Sequence, residues 1–526
     1  MKIILKSLCA VCMLVSTNLF AQQEAPDTAV FNKIREAELK NSHIPYLAHY
    51  LSEVSGPRLT GSPNFKRAAN WAVGTMKSWG LVNAKLESWG DFGKNWELQD
   101  FSLMLKIPYA QPLSAFPDAW SANTKGLEQA RVALLTKAQI FDTVYLSQHI
   151  DDYRGKIILT TDEPPVTSAN GLENFSPSAT RFTDLELSQI DDTDMLPDSF
   201  IQQLINAEKE SSSAQRLLKK SGAIALIRSQ YTDMNGTIFS STLRNNYRAF
   251  SLNAPGLPSA TISFEDAQRI KRLIRSGHPV EIALNINAKL STEDNKGYNV
   301  IAEIPGTDPV LKSEVVMLGA HLDSWSFATG ATDNAAGCAV VMEAVRLLDS
   351  LGLNPKRTIR IALWSGEEQG LYGSYKYVKQ HFMDAEKYTL KPEQAKISAY
   401  FNLDNGTGKI RGIFAQNNAA VMPIFKEWFK PFHDLGANTV TIKSTGATDH
   451  QSFDWAGIPA FQFIQDPLDY ITRTHHSNMD SYEHLQIEDL KQAAIIVASF
   501  IYQSSVRPTL LPRKPLVKEH FVSGDF

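Results

Sequence analysis

Cysteine is nearly absent from this chain: there are three in 526 residues, and two of them, Cys9 and Cys12, lie in the N-terminal apolar stretch. Without that stretch only Cys338 remains, so no internal disulfide can form and stability must come from a packed core or from metal. Beyond the N-terminus no run approaches the roughly 18 uninterrupted apolar residues of a transmembrane helix, so no membrane span is expected. Neither sign of charge dominates: 52 Lys and Arg stand against 56 Asp and Glu, a formal net charge of −4, which gives no reason to expect a nucleic-acid partner. Internal repeats and low-complexity tracts are also missing. What is present is the composition of a folded globular protein, 43% hydrophobic and 21% charged, far from disordered or fibrous classes. At about 150 residues per domain the length suggests two to four domains.

The opening MKIILKSLCAVCMLVSTNLFA has a short basic start, an apolar stretch and a small residue at Ala21. It reads as a signal peptide over residues 1–21, which implies an exported protein, periplasmic or secreted. Neither Cys9 nor Cys12 follows the small residue that lipoprotein processing needs, so no lipid anchor is expected. Residues 22–115 form the N-terminal part of the main domain, with Ala68, Trp71, Ala72, Thr75, Met76 and Trp79 at helical spacing after the loop SGPRLTGSP. Prolines between Pro108 and Pro117 break the pattern. Residues 116–290 then change texture, with short β-like runs at Lys156–Leu159 and Ala223–Ile227, which predicts an inserted domain. From 291 to 505 buried-strand runs at Val315–Leu318, Ile359–Trp364, Ile397–Leu403 and Ala460–Ile464 alternate with helical patterns at Ala335–Leu351 and Ile487–Tyr502. This alternation predicts an α/β fold with a mixed, mainly parallel sheet flanked by helices. Residues 506–526, with Pro508, Pro512 and Pro515, read as an extended tail.

In such sheets reactive groups gather beyond the strand carboxyl ends. Four strands here run into loops bearing His321 and Asp323 (GAHLDSW), Glu367 and Glu368 (WSGEEQG), Asp404 (NLDNG) and His475-His476 (THHSNMDS), and Asp333 (GATDNAAG) opens a helix. Two His and three carboxylates suit two divalent cations, each taking one His, one terminal carboxylate and a share of a bridging carboxylate.

These motifs, in this order over about 296–505, resemble the zinc-dependent exopeptidases of the MH clan, in the branch of bacterial leucyl aminopeptidases and carboxypeptidase Q. The resemblance implies a three-layer, zinc aminopeptidase-like fold and two Zn²⁺ per chain: His321 and Asp404 on one, Glu368 and His476 on the other, Asp333 bridging. Glu367 would be the general base, taking a proton from the attacking water and passing it to the leaving amine. It also implies a cis peptide bond between Asp333 and Asn334. The family pattern His-Ser/Thr-x-x-Asp, counted back from Asp480, selects His476 as the ligand and leaves His475 to support it or face substrate. Asp323 is placed to accept the imidazole N–H of His321. YRGKIILTTDE, AQRLLKKSGAIALI and GLPSATISFEDAQRI resemble in order a protease-associated domain, so the insertion is expected to be β-rich, acting as a lid or an inert spacer.

Asp449 and His450 in GATDHQSF resemble a segment lining the substrate cleft, although His450 beside Phe453 also fits simple packing. Arg473, three residues before His476, is the best candidate to receive a substrate carboxylate, and the carboxylates around the site suit a substrate ammonium. The expected function is removal of N-terminal residues from peptides, or splitting of dipeptides. The alternatives are a glutaminyl cyclase-like acyltransferase and a non-catalytic binding ectodomain of the same fold; the complete ligand set and Glu367 argue against both. Oligomeric state is left open, a homodimer included.

Overall fold

Apolar residues that alternate along the central strands divide the molecule's main unit into layers. In the computed structural model, which describes residues 24–163, 179–194, 198–240, 248–384 and 386–516, the four expected strands are Val315–His321, Thr358–Trp364, Ile397–Asn402 and Ala460–Gln465. The expected leader lies outside the described residues. Along Val315–His321, Val316, Leu318 and Ala320 face one core, while Val315 and Met317 face another, as the two-residue period of a strand requires. Helices Pro63–Ser78, Ala336–Ser350 and Ile487–Val506 cover the first face, and Tyr372–His381 and His450–Trp455 cover the second. Three layers result. Helix Ala336–Ser350 is buried on nearly all sides, as its Ala- and Val-rich sequence allows.

The sheet has eight strands in the order Val82–Asp91, Lys296–Ile304, Thr358–Trp364, Val315–His321, Ile397–Asn402, Ala460–Gln465, Ile410–Phe414, Thr439–Thr441. Its four central strands are mutually parallel, and antiparallel neighbours flank them. The N-terminal strand Val82–Asp91 therefore completes a sheet whose other members all follow residue 295.

A second eight-stranded sheet is built between Asn95 and Ser291. It recruits Asn95–Ile107, ahead of the boundary expected at 116, because this strand pairs along most of its length with Glu281–Ser291. Its centre is an α/β arrangement: Glu128–Leu135, Ile157–Thr161, Ala225–Ser229 and Ser259–Ile262 run parallel, with helices on both faces.

Beyond Val506 the described residues 507–516 form neither helix nor strand, and they are fastened down. Leu511 is buried, the Arg513 guanidinium donates to the carbonyls of Gly457, Gln394 and Ile397, and Lys514 pairs with Asp454 at 2.7 Å. Among the described residues no helix is long and apolar enough to cross a membrane.

Candidate metal centre and active site

Three neighbouring parallel strands deliver the first groups side by side at their carboxyl ends: Glu367 and Glu368 after Thr358–Trp364, His321 closing Val315–His321, and Asp404 just beyond Ile397–Asn402. Asp333 enters from the turn Ala331–Ala335 that leads into helix Ala336–Ser350. His476 comes from the long loop after Ala460–Gln465.

The five groups converge. His321 Nε2 lies 3.1 Å from Asp404 Oδ1 and 3.2 Å from Asp333 Oδ1. His476 Nε2 lies 2.8 Å from Glu368 Oε2 and 3.3 Å from the other Asp333 oxygen, Oδ2. Asp333 thus faces one imidazole with each oxygen, between two pairs of His and carboxylate. Asp333 Oδ2 and Glu368 Oε1 are buried and receive no hydrogen bond from any described residue. Buried carboxylate oxygens without donors are costly, and a divalent cation between these groups would satisfy them; the residue types are those that bind zinc. His475 sits further out, its Nε2 3.9 Å from Asp333 Oδ2, with its ring stacked on that of His476 at 3.7 Å between centroids.

Electrostatics follow the crowding. Burial, reinforced by Asp333, pushes Glu368 well above the usual carboxylate range. Burial likewise pushes Glu367 up, against the pull of His321 and with Asp404, Asp449 and Glu368 adding to the rise. Burial disfavours a charged His321, yet Asp404 and Glu367 outweigh it and hold the imidazole well above its ordinary value. Burial opposes ionisation of Asp333 too, but the hydrogen bond with His321 and the charges of both neighbouring histidines keep it low.

A surrounding set of contacts fixes the groups in place. Asp480 accepts the backbone N–H groups of Thr332 at 2.5 Å and Asp333 at 3.2 Å, anchoring the turn that carries Asp333; burial, with the neighbouring Asp333 charge, pushes Asp480 up to about 7. Thr448 donates its hydroxyl to Asp404 at 2.5 Å. Asp323 differs from expectation. The His321 Nδ1 contact goes to the backbone carbonyl of Asp323 at 3.0 Å, while its carboxylate stands 3.7 Å away. That carboxylate instead accepts the Thr60 hydroxyl at 2.8 Å and the amides of Glu367 and Glu368 at 3.4 Å, so it orients the glutamate turn. Thr60 belongs to SGPRLTGSP, where the fully buried Arg58 donates to the carbonyls of Leu51, Leu322, Thr329 and Gly330. The peptide bond between Asp333 and Asn334 is cis.

In the sequence Asp480 serves only to place the His-Ser/Thr-x-x-Asp pattern, and SGPRLTGSP reads as a loop that resembles the carboxypeptidase Q branch, with no role for Arg58 or Thr60. A charged residue inside a Gly/Pro-rich loop was the available signal for Arg58; nothing in the sequence pairs it with carbonyls more than 260 residues away.

The expected substrate contacts divide. Asp449 is fully buried, and burial pushes it up to about 8. His450 is also fully enclosed, its Nε2 lying 3.0 Å from the Thr445 carbonyl and 2.7 Å from the Gln416 amide; it packs within the wall and is not at its surface. Arg473 is half-buried with no carboxylate in ion-pairing distance among the described residues. Trp325 stands edge-on to His476, 6.1 Å between centroids, and joins Trp96, Trp120 and Phe250 in an apolar cluster beside the centre.

The second sheet's unit touches this centre directly. Ser240 N–H donates to the carbonyl of His476 at 2.7 Å, and Ile238 N–H to the Asn478 side chain at 2.6 Å. On the other side Thr193 exchanges backbone hydrogen bonds with Ser444 and Gly446, each at 3.0 Å, next to the segment bearing Thr448 and Asp449.

Residues 299–501 match the model of Peptidase family M28. Carboxypeptidase Q of Mus musculus is 27% identical over 464 residues, covering 88% of this chain and 86% of that protein. Among solved structures, a peptidase M28 precursor from Shewanella amazonensis SB2B superposes over 93% of this chain and 98% of its own, with a TM-score of 0.65 at 24% identity. A zinc aminopeptidase from Bacillus subtilis covers 88% of this chain and 95% of its own, with a TM-score of 0.54 at 21% identity. These likenesses establish a shared fold, the mixed α/β architecture flanked by helices.

Proposed function

Through residues 299–501 the chain belongs to peptidase family M28, and from that membership we propose an exported dinuclear zinc exopeptidase that removes N-terminal residues from peptides or splits dipeptides. The observation that carries the proposal is the convergence of His321, Asp333, Glu368, Asp404 and His476, with Asp333 Oδ2 and Glu368 Oε1 buried and lacking donors. In this reading His321 and Asp404 hold one zinc, Glu368 and His476 the other, and Asp333 serves both. When bound, the ions would polarise the scissile carbonyl and bring the pKa of water toward neutrality.

The remaining work belongs to the chain. Glu367 keeps partial exposure beside the cluster and takes the proton of the attacking water on its carboxylate, then delivers it to the leaving amine. Asp323 holds the amides of Glu367 and Glu368, which keeps the two glutamates pointing to different tasks. Asp480 fixes Asp333. Carboxylates around the centre would receive the substrate's ammonium, and Arg473, which has no carboxylate partner among the described residues, would receive a free carboxylate end. The likeness to carboxypeptidase Q along most of the chain supports an exopeptidase that handles short substrates. The leader over 1–21 supports export.

The test is a panel of free, N-acetylated and C-amidated dipeptides with the zinc-loaded enzyme. N-acetylation is expected to abolish hydrolysis, and equal rates on free and acetylated substrates would remove amine anchoring. If Arg473→Ala slows only substrates with a free carboxylate, the enzyme is a dipeptidase; an equal effect on amidated ones makes it an aminopeptidase.

A further inference from the structure

The second sheet carries a cavity of about 270 Å³ that the proposed hydrolysis does not use. It lies at the carboxyl ends of the adjacent parallel strands Ile157–Thr161 and Ala225–Ser229, the end of an open α/β sheet where ligands bind. Ile158 and Leu226 pair across these strands and belong to the apolar cluster beneath the helices. Two residues further on, Thr160 and Arg228 pair in the same register and project to the same face. Ile140 and Phe141 from helix Lys137–Phe141, Ala214 from helix Asp198–Ser221, and Leu226 supply apolar walls.

Three of the polar lining groups, Thr160, Arg228 and the buried Ser229 hydroxyl, are incompletely used, and Ser211 and Gln230 complete the lining. The Thr160 hydroxyl is buried and has no hydrogen-bond partner among the described residues. Arg228, itself 7% exposed, donates through Nη1 to Asp118 at 3.0 Å, and the other Asp118 oxygen is held by the Thr261 hydroxyl at 2.8 Å. A guanidinium fixed by one nitrogen keeps further N–H groups to offer. Lys137 at the rim is committed to Asp162 at 2.5 Å. Asp118 and Asp162, the carboxylates beside these groups, are therefore both paired, and among the described residues no carboxylate lines the cavity to receive an ammonium.

We propose that this cavity binds a small apolar monocarboxylate without a charged amine. Its carboxylate accepts hydrogen bonds from Arg228 and Thr160, a charge-assisted pairing stronger than a neutral one. Its hydrocarbon body, about the size of a leucine side chain, fills the space between Ile140, Phe141, Ala214 and Leu226. The volume lies near the lower end of small-molecule sites, so bulkier ligands are excluded.

The test is calorimetric titration of the metal-loaded full chain with 4-methylpentanoate. Wild type is expected to bind, with leucine and 4-methylpentanamide at least tenfold weaker, the first for its ammonium and the second for its missing charge. Ala214→Phe, which fills the cavity, and Thr160→Val, which removes the hydroxyl, are each expected to weaken binding at least tenfold. His321→Ala is expected to leave it intact, which separates this site from the candidate metal centre. Thr160→Val removes a group with no protein partner, so its thermal midpoint and peptide turnover should match wild type and exclude loss of fold. No binding to wild type, unchanged affinity in both cavity variants, leucine or the amide binding as well as the acid, or loss of binding in His321→Ala would each overturn the proposal.

Discussion

Glu367 and Glu368 are neighbours in sequence with unlike surroundings: Glu368 faces His476 at 2.8 Å, whereas Glu367 keeps an open side. Glu367→Gln should therefore retain zinc while turnover falls by roughly 10²–10⁴-fold, the loss expected for a general base. Glu368→Gln should lose metal. Zinc content by mass spectrometry together with steady-state rates separates the two, and the reverse pattern would exchange their roles. Asp480 makes a different prediction, because it touches the turn's backbone and only through it the centre. Asp480→Ala frees the Thr332 and Asp333 amides and should weaken zinc binding by about 10–100-fold, as loss of a group orienting a ligand does. A competition titration with a chelator reads this directly; unchanged affinity would make Asp480 a folding residue alone.

Among the elements, the strand that ends in His321 contains Gly319, and a Cβ there would meet the Ala362 carbonyl at 2.6 Å and the Tyr400 hydroxyl at 2.7 Å. Gly319→Ala must push neighbouring strands apart. Overpacking of this kind costs about 1–3 kcal/mol and should also disturb the spacing of His321, Glu368 and Asp404, so lowered thermal stability and weakened zinc binding are expected together in melting curves run with and without chelator. A stable variant with full zinc affinity would mean that the strands give way harmlessly. The strands themselves were legible because each is a short apolar run ending in a polar loop, and the helix from Ala336 because its period is unbroken. The site loops were legible because two His and three carboxylates recur at strand ends. What stayed hidden was long-range partnership: Arg58 with Leu322, Thr60 with Asp323, and Asn95–Ile107 joining the second sheet, since pairing across some 200 residues leaves no local pattern. Packing of His450 beside Phe453 was one of the two readings the sequence offered, but its partners Gln416 and Thr445 were not legible, being set by tertiary contacts.

On the scale of the whole molecule, the N-terminal helix Thr28–Lys40 lies against helices Ala336–Ser350 and Ile487–Val506, and at its contact with the first Glu38 is buried close to Glu343. Burial, with the neighbouring Glu343, raises Glu38 to about 8 from an ordinary 4.5. The folded protein then holds this proton to higher pH than the unfolded chain does, so the group's contribution is most favourable below about 4.5 and is lost as pH climbs toward 8. Glu38→Gln should match wild type in urea unfolding near pH 5 and exceed it near pH 9; a constant difference at both would exclude this titration. The same junction governs when the protein can become itself. Glu24 pairs with Arg507 at 2.6 Å, and Asp27 N–H donates to Gln503 at 3.1 Å, so the first described residues need the last long helix as their platform. A ribosome delivers the chain from the other end. Until residues near 507 have emerged, the opening helix has nowhere to dock and strand Val82–Asp91 must wait for residues beyond 295. The nascent polypeptide is thus kept from premature closure by its own connectivity, and if the chain is exported as proposed, this leaves it in the threadable state that a narrow secretion channel would demand.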